Sequence, residues 1–222
     1  MKRTLDFLDA LSRNNTREWF AAHRSLYEQV EVDFRDFAQR LLDGVAVFDP
    51  SVCGLTLRDC TYRIYRDTRF SNDKTPYKTW KGVYIARGGK KSGYAGYYVH
   101  FEASGSFVYA GLHCPEPILL RSVREEIIDN GDAIIEAIEG SNGFKLYEGN
   151  ALKRNPKDFP AGHKYDHILR LKELGVEKSL DRELVNRGGE ELLEQVLRDL
   201  QSTKPLVDIL NRAVEYAYEE MM

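Results

Sequence analysis

The sequence predicts an α+β fold: an antiparallel meander of about four strands within residues 60–114, packed against N-terminal and C-terminal helices. Two observations carry this. Residues 1–48 and 115–222 place apolar side chains at helical spacing, whereas residues 60–114 are rich in Tyr, Val, Phe and Ile broken by Gly and Ser. Helices and strands also come in blocks, which argues against an alternating α/β sheet. With 222 residues, 42% of them hydrophobic, and no repeat or low-complexity linker, the chain reads as one domain spanning 1–222. Its parts are a helical 1–48, a sheet in 60–114 and a mainly helical 115–222.

A first short helix is expected over residues 4–13, capped by Thr4, with Leu5, Leu8 and Leu11 on one face. Asn14-Asn15 breaks it, and Asn15 with Glu18 forms a capping-box-like start for a second helix. Phe20, Tyr27, Phe34 and Leu41 recur every seven residues, with Val30 and Phe37 between them. The aromatic, irregular seam favours a long helix lying across a sheet over a coiled coil. Asp43-Gly44 and Asp49-Pro50 end it. Strands are expected at Thr61–Arg66, Gly82–Arg87, Tyr97–Ala103 and Phe107–Leu112, with Ser104-Gly105 as the tight turn between the last two. Helical periodicity returns over Pro117–Ile138, Glu190–Leu200 and Pro205–Tyr218, while the polar stretch from Lys153 to Lys172 is expected to wrap the surface.

Composition narrows the class. Charged residues at 30% and aromatics at 11% fit an ordinary globular protein and not a disordered one. No apolar run approaches the ~18 residues of a membrane span, and the basic start runs into acids at once, so neither a membrane partner nor a signal peptide is expected. Cys53, Cys60 and Cys114 are odd in number and hold no Cys-x-x-Cys pair, the pattern of reduced thiols in the cytoplasm. The net charge of −3 is unevenly spread. Residues 58–91 hold ten Lys/Arg against three Asp, a local +7 on a body of −10. This split argues for a local basic site rather than a surface that coats nucleic acid.

The densest chemistry lies in Arg63-Ile-Tyr-Arg66-Asp67-Thr-Arg69-Phe70-Ser-Asn-Asp73-Lys74-Thr-Pro76-Tyr77-Lys78. Guanidinium forks and ammonium groups at this density suit a phosphate or carboxylate held by several donors. Arg63, Arg66, Arg69, Lys74 and Lys78 are the candidate anion ligands, Asp67 and Asp73 their orienting partners, and Tyr77 a hydroxyl donor. Pro76 excludes a regular central strand there, so Arg66, Arg69, Lys74 and Lys78 are expected to converge from a strand end and a loop. The same residues equally suit a salt-bridge and cation–π network that braces the loop.

Alternation along the third predicted strand puts Tyr98, His100 and Glu102 on one face. His100 with Glu102 is the candidate pair for proton transfer, or the solvent face of a sheet. No metal ligands are assigned. His163 and His167 share a helical spacing but lack the metalloprotease glutamate, and His113 beside Cys114 suggests no site by itself. Gly89-Lys90-Lys91-Ser92 fails the phosphate-loop pattern, since Tyr84 stands where the first glycine belongs. No nucleophile elbow or dinucleotide fingerprint is present.

The central pattern Arg63-x-x-Arg66-Asp67-x-Arg69-Phe70 with Asp73-Lys74-x-x-Tyr77 resembles the signature of the bacterial domain of unknown function 2461 family. Asn14-Asn15-x-x-Glu18-Trp19-Phe20 and Leu152-Lys153-Arg154-x-Pro156 extend the resemblance over most of the chain, with one departure, Asp158 where glycine is expected. The resemblance implies a bacterial, intracellular, single-domain protein and no particular activity, substrate or cofactor. On the residues themselves, the leading expectation is a small anionic ligand, with its transformation and the cofactor left open. The alternatives are a nucleic-acid-binding module using the basic segment with Tyr62, Tyr65, Tyr77, Trp80 and Tyr84, and a partner-binding or structural domain in which the motif is a brace.

Overall fold

Val83, Val99, Val108 and Val176 stand on four different strands and point into one core, because alternation sends every second side chain of each strand the same way. The computed structural model describes residues 1–222 and shows an α+β fold. The elements run α1 (Lys2–Arg13), α2 (Arg17–Ala22), α3 (Arg24–Phe48), α4 (Leu57–Cys60), β1 (Trp80–Ala86), β2 (Gly96–Glu102) and β3 (Phe107–Leu112). After these come α5 (Pro117–Glu139), β4 (Lys145–Leu146), α6 (Asp166–Leu169), β5 (Leu174–Ser179), α7 (Arg182–Arg187), α8 (Gly189–Ser202) and α9 (Lys204–Glu220). The sheet is antiparallel throughout, in the order β1-β2-β3-β5-β4.

The meander β1–β2–β3 is as expected, but the strand count is five. Thr61–Arg66 is not a strand of this sheet. It contributes only isolated bridges, Thr61 to Val83 and Tyr65 to Tyr77. Arg66 N–H donates to the Pro76 carbonyl at 2.9 Å and Lys78 N–H to the Ile64 carbonyl at 2.8 Å, so residues 64–78 form a hairpin-like arm. Pro76 has no N–H to extend the ladder, which accounts for its brevity. The remaining two strands, β4 and β5, lie outside residues 60–114, and β5, from the segment after the Lys153–Lys172 stretch, is inserted between β3 and β4.

The expected long helix is broken at His23 into α2 and α3. The N-cap of α2 is Thr16, whose side chain accepts from Trp19 N–H at 3.2 Å, and not Asn15. The aromatic seam therefore serves two cores. Phe34, Phe37, Leu41 and Val45 of α3 join the main core with the inner faces of the strands and with α5, α8 and α9. Phe20 and Val30 belong to a second, smaller core with Phe7, Leu8, Leu11, Ile64 and Tyr77. This small core seats the arm against α1–α3. No helix is long and apolar enough to cross a membrane.

Candidate functional site

The strand register builds the site. On the face of the sheet opposite the main core, Trp80 stands across from Glu102, Gly82 from His100, and Tyr84 from Tyr98. His100 faces Phe107 and Tyr98 faces Tyr109 on β3, and Tyr109 faces Glu177 on β5. Aromatic rings thus fill successive rows of one face. Two glycines make room for them. A methyl group on Gly82 would lie 2.5 Å from the Tyr98 hydroxyl oxygen, and one on Gly175 would lie 2.3 Å from the Tyr109 ring. The rings lie over bare backbone. Between them is a cavity of about 540 Å³, walled by Tyr62, Trp80, Tyr98, Phe107, Tyr109 and Tyr147 among others. That volume falls within the ~300–1,000 Å³ usual for small-molecule sites.

A hydrogen-bonded chain runs along this wall. The Tyr98 hydroxyl lies 2.8 Å from His100 Nδ1, His100 Nε2 lies 3.4 Å from Glu102, and Thr79 Oγ1 donates to Glu102 at 3.0 Å. Glu102 accepts from Nε2–H, which fixes the neutral tautomer and leaves Nδ1 to accept from Tyr98. Burial pushes the His100 pKa down, against the upward pull of Glu102. Burial also raises that of Tyr98, so its hydroxyl stays protonated. His100 and Glu102 are therefore together, as the alternation implied, and Tyr98 and His100 are the members of the chain that line the cavity.

The motif residues occupy the adjoining arm. Arg66, Asp67, Asp73, Tyr77 and Lys78 line a second cleft, of about 460 Å³, that shares Trp80 with the aromatic cavity. Arg63, Arg69 and Lys74 do not line it. The expected convergence of all the cations is thus partial, because most are turned to partners within the arm. Arg69 forks onto Asp67 through two bonds at 3.0 and 2.6 Å, and Arg66 binds Asp73 and Thr75. Lys74 donates to the Thr68 carbonyl at 2.9 Å. These contacts, with backbone bonds from Arg69 and Thr75, hold the Asp67 and Asp73 pKa values at about 2. The Tyr77 ring is buried and stacks on Phe20 at 4.0 Å, as a structural anchor.

Lys78 differs. Its ammonium donates to the carbonyls of Arg63 and Tyr65 at 2.7 and 2.9 Å and stands 5.6 Å from the centre of the Trp80 ring. Desolvation lowers its pKa, and the positive fields of Arg63, Arg66 and Lys81 lower it further. No carboxylate pairs with Lys78, so its charge, like those of Arg63 and Lys74, has no acid to compensate it. Lys81 is the strand residue behind it, 2% exposed, paired with Glu31 and set 4.8 Å from the Phe34 ring. It belongs to the core side and fastens α3 to β1.

The sequence alternation that paired His100 with Glu102 applies equally to Trp80 and Tyr84 and to Phe107 and Tyr109. Extended to them it indicates the cavity. Tyr147 and Glu177 carry no such local signal.

The chain matches the family of conserved hypothetical proteins DUF2461 over residues 3–209. It belongs to that family. No curated protein and no solved structure matched it. The match runs from α1 into the start of α9, so the arm, the cavity and the smaller core lie inside it, while Leu210, Ala213, Val214 and Ala217 of the main core lie beyond it. Asp158, where the resemblance led us to expect glycine, is not in the left-handed region and lies 3.6 Å from Arg121, so no glycine is required there.

Proposed function

We propose that the protein binds a small ligand with an acidic group and a ring or apolar body. The acid is held at Lys78, where the charge of Arg63, outside the cleft wall, adds to the positive field, and the body lies in the aromatic cavity. The observation that carries this reading is Trp80, which walls both spaces and carries the Lys78 ammonium at its ring. A ligand bridging the two would neutralise the uncompensated cation while burying apolar surface against Tyr62, Tyr98 and Phe107. If the ligand is transformed, Tyr98 backed by neutral His100 and Glu102 is the group placed to move a proton. The three unpaired cysteines suit a cytoplasmic setting, where thiols stay reduced.

The nucleic-acid reading is less well served. Of its five rings, Tyr77 is stacked on Phe20, and the Tyr84 hydroxyl is held by the carbonyls of Tyr94 and Gly111. Neither is free to receive a base.

The test uses Trp80 as reporter in a Trp19→Phe background, the chain having only two tryptophans. Titration with benzoate and phenyl phosphate is expected to give a saturable change in fluorescence. Arg63 is exposed and engages nothing through its guanidinium, so Arg63→Ala keeps the fold and should weaken binding; Lys78→Met should weaken it by at least about tenfold. A Trp80 signal silent to both ligands, or unaltered by both substitutions, would sink the reading.

A further inference from the structure

At its far end from Trp80, the cavity is walled by His113, and the register that built the aromatic rows continues there. Leu112 pairs with Leu174 as the last rung of β3 and β5, so the next residues outward, His113 and Glu173, stand opposite one another on the cavity side of the sheet. His113 Nδ1 lies 2.5 Å from Glu173 Oε2. Cys114 would ordinarily point away, but its backbone is left-handed, with φ of 46°. This brings Sγ to 3.5 Å from His113 Nε2 and lets Cys114 N–H donate to Glu173 at 3.3 Å. It is the one non-glycine residue of the chain in that conformation, which L side chains adopt at a cost.

The ligand atoms of His113, Cys114 and Glu173 all lie within 4.8 Å of one another. The Glu173 side chain is only 4% exposed, and neither lysine nor arginine pairs with it. A buried carboxylate without a cation is costly. A second observation falls in the same corner. The Tyr109 hydroxyl is buried without any hydrogen-bond partner, on a ring whose centre is 6.2 Å from that of His113 and which walls the same cavity.

We propose that His113, Cys114 and Glu173 bind a divalent metal ion of the zinc class. One nitrogen, one thiolate and one carboxylate oxygen form the mixed donor set that a borderline-soft ion accepts and that magnesium or calcium does not. Ligand bonds of ~2.0–2.3 Å require donor separations only modestly wider than the present His113–Glu173 contact. Binding through Nδ1 therefore needs an outward swing of the exposed imidazole and an approach of Sγ, which lies 4.0 Å from that nitrogen. The ion supplies the missing positive charge beside Glu173. The Cys114 S–H bond breaks as the metal–sulfur bond forms, and its proton passes to solvent. Three protein ligands leave a fourth position for water, the arrangement of reactive rather than structural zinc. A water held there would give the Tyr109 hydroxyl the partner it lacks. This site lies at the other end of the cavity from Lys78 and does not depend on the anion reading.

The experiment is titration of chelator-stripped protein with Co²⁺, then displacement by Zn²⁺, in a Cys53→Ser background that removes the other exposed thiol. The expected result is one equivalent of tetrahedral Co²⁺ with a sulfur-to-metal charge-transfer band, erased by Zn²⁺. Cys114→Ser should abolish that band, and His113→Ala and Glu173→Gln should each weaken binding by at least about tenfold. Should Glu173→Gln fail to fold, His113→Ala, at an exposed position, carries the test. A missing charge-transfer band at saturating Co²⁺, or a band that survives Cys114→Ser, would overturn the assignment. Neither outcome bears on Trp80 fluorescence with benzoate or phenyl phosphate.

Discussion

Asn15 binds both sides of one peptide segment: its Nδ2 donates to the Tyr77 carbonyl at 2.9 Å, and its Oδ1 accepts from the Tyr77 N–H at 3.1 Å. The side chain does what a neighbouring strand would do. Two segments far apart in sequence, the Asn14–Phe20 stretch and the Arg63–Lys78 arm, are joined at this residue and again where Phe20 stacks on Tyr77. Removing the amide leaves two half-buried backbone groups without partners. Asn15→Ala is expected to cost about 1–3 kcal/mol, read as a lower melting temperature. Faster amide exchange confined to residues 63–78 would locate the loss in the arm.

Arg66 is a weaker brace than its place in the motif implies. Its partner Asp73 is 58% exposed, and an ion pair so open to water contributes at most about 1 kcal/mol. The bond to Thr75 adds a comparable amount. Arg66→Ala is therefore expected to destabilise by about 1–2 kcal/mol in a denaturant titration. A loss of 3–5 kcal/mol, typical of a broken buried pair, would mean that the arm carries far more of the fold than its exposure indicates.

Acid should loosen the arm before the rest of the chain. Asp67 and Asp73 have folded-state pKa values of about 2, below the ordinary carboxylate range near 3.8. A depressed folded pKa gives stability that is present above the unfolded value and lost as pH falls through the folded one. Amide signals of residues 66–75 should shift and exchange faster between pH ~4 and pH ~2, with the sheet unaffected. Replacing both aspartates with asparagine should remove that pH step, and its persistence would place the titrating group elsewhere.

His100 should titrate below the usual histidine range, because burial opposes its charged form. Glu102 pulls the other way, so Glu102→Gln is expected to lower the value further. Imidazole proton shifts followed by NMR across pH 4–8 measure both. A pKa raised above the ordinary value would mean that the pull of Glu102 outweighs burial and that the ring is not held neutral. Gly82→Ala provides a second check, since its new methyl would displace the Tyr98 hydroxyl from His100 and raise the ring's exposure.

The legible parts of this molecule were those set by local period. Gly96–Glu102 and Phe107–Leu112 alternate cleanly around Ser104-Gly105, and Tyr98, His100 and Glu102 share a face for that reason alone. β5 was missed because Gly175, Glu177 and Lys178 dilute its pattern; its burial comes from β3 and the helices. Thr61–Arg66 has the texture of a strand, but Pro76 on its partner stops the ladder after the single Tyr65–Tyr77 bridge. The break at His23 was hidden by an apolar seven-residue period that continues through it while serving two different cores. Within the arm, the residue types were informative but their directions were not, since Arg69 turns back onto Asp67 two residues away. Glu173 was beyond reach for another reason. Its opposition to His113 is a matter of register between β3 and β5, which neither segment encodes alone.

Gly82 and Gly175 let the rings of Tyr98 and Tyr109 pack directly on the main chain, and those rings line the cavity. Rings seated on main chain keep the same depth whatever side chains surround them. Discrimination among ligands must then come from the rim, from Tyr62, Lys90, Tyr147 and the arm, all on segments between strands. The basin's depth is fixed by two missing methyl groups, while its taste can drift through loop residues without any strand changing. Relatives that keep these glycines can therefore share one vessel and fill it differently.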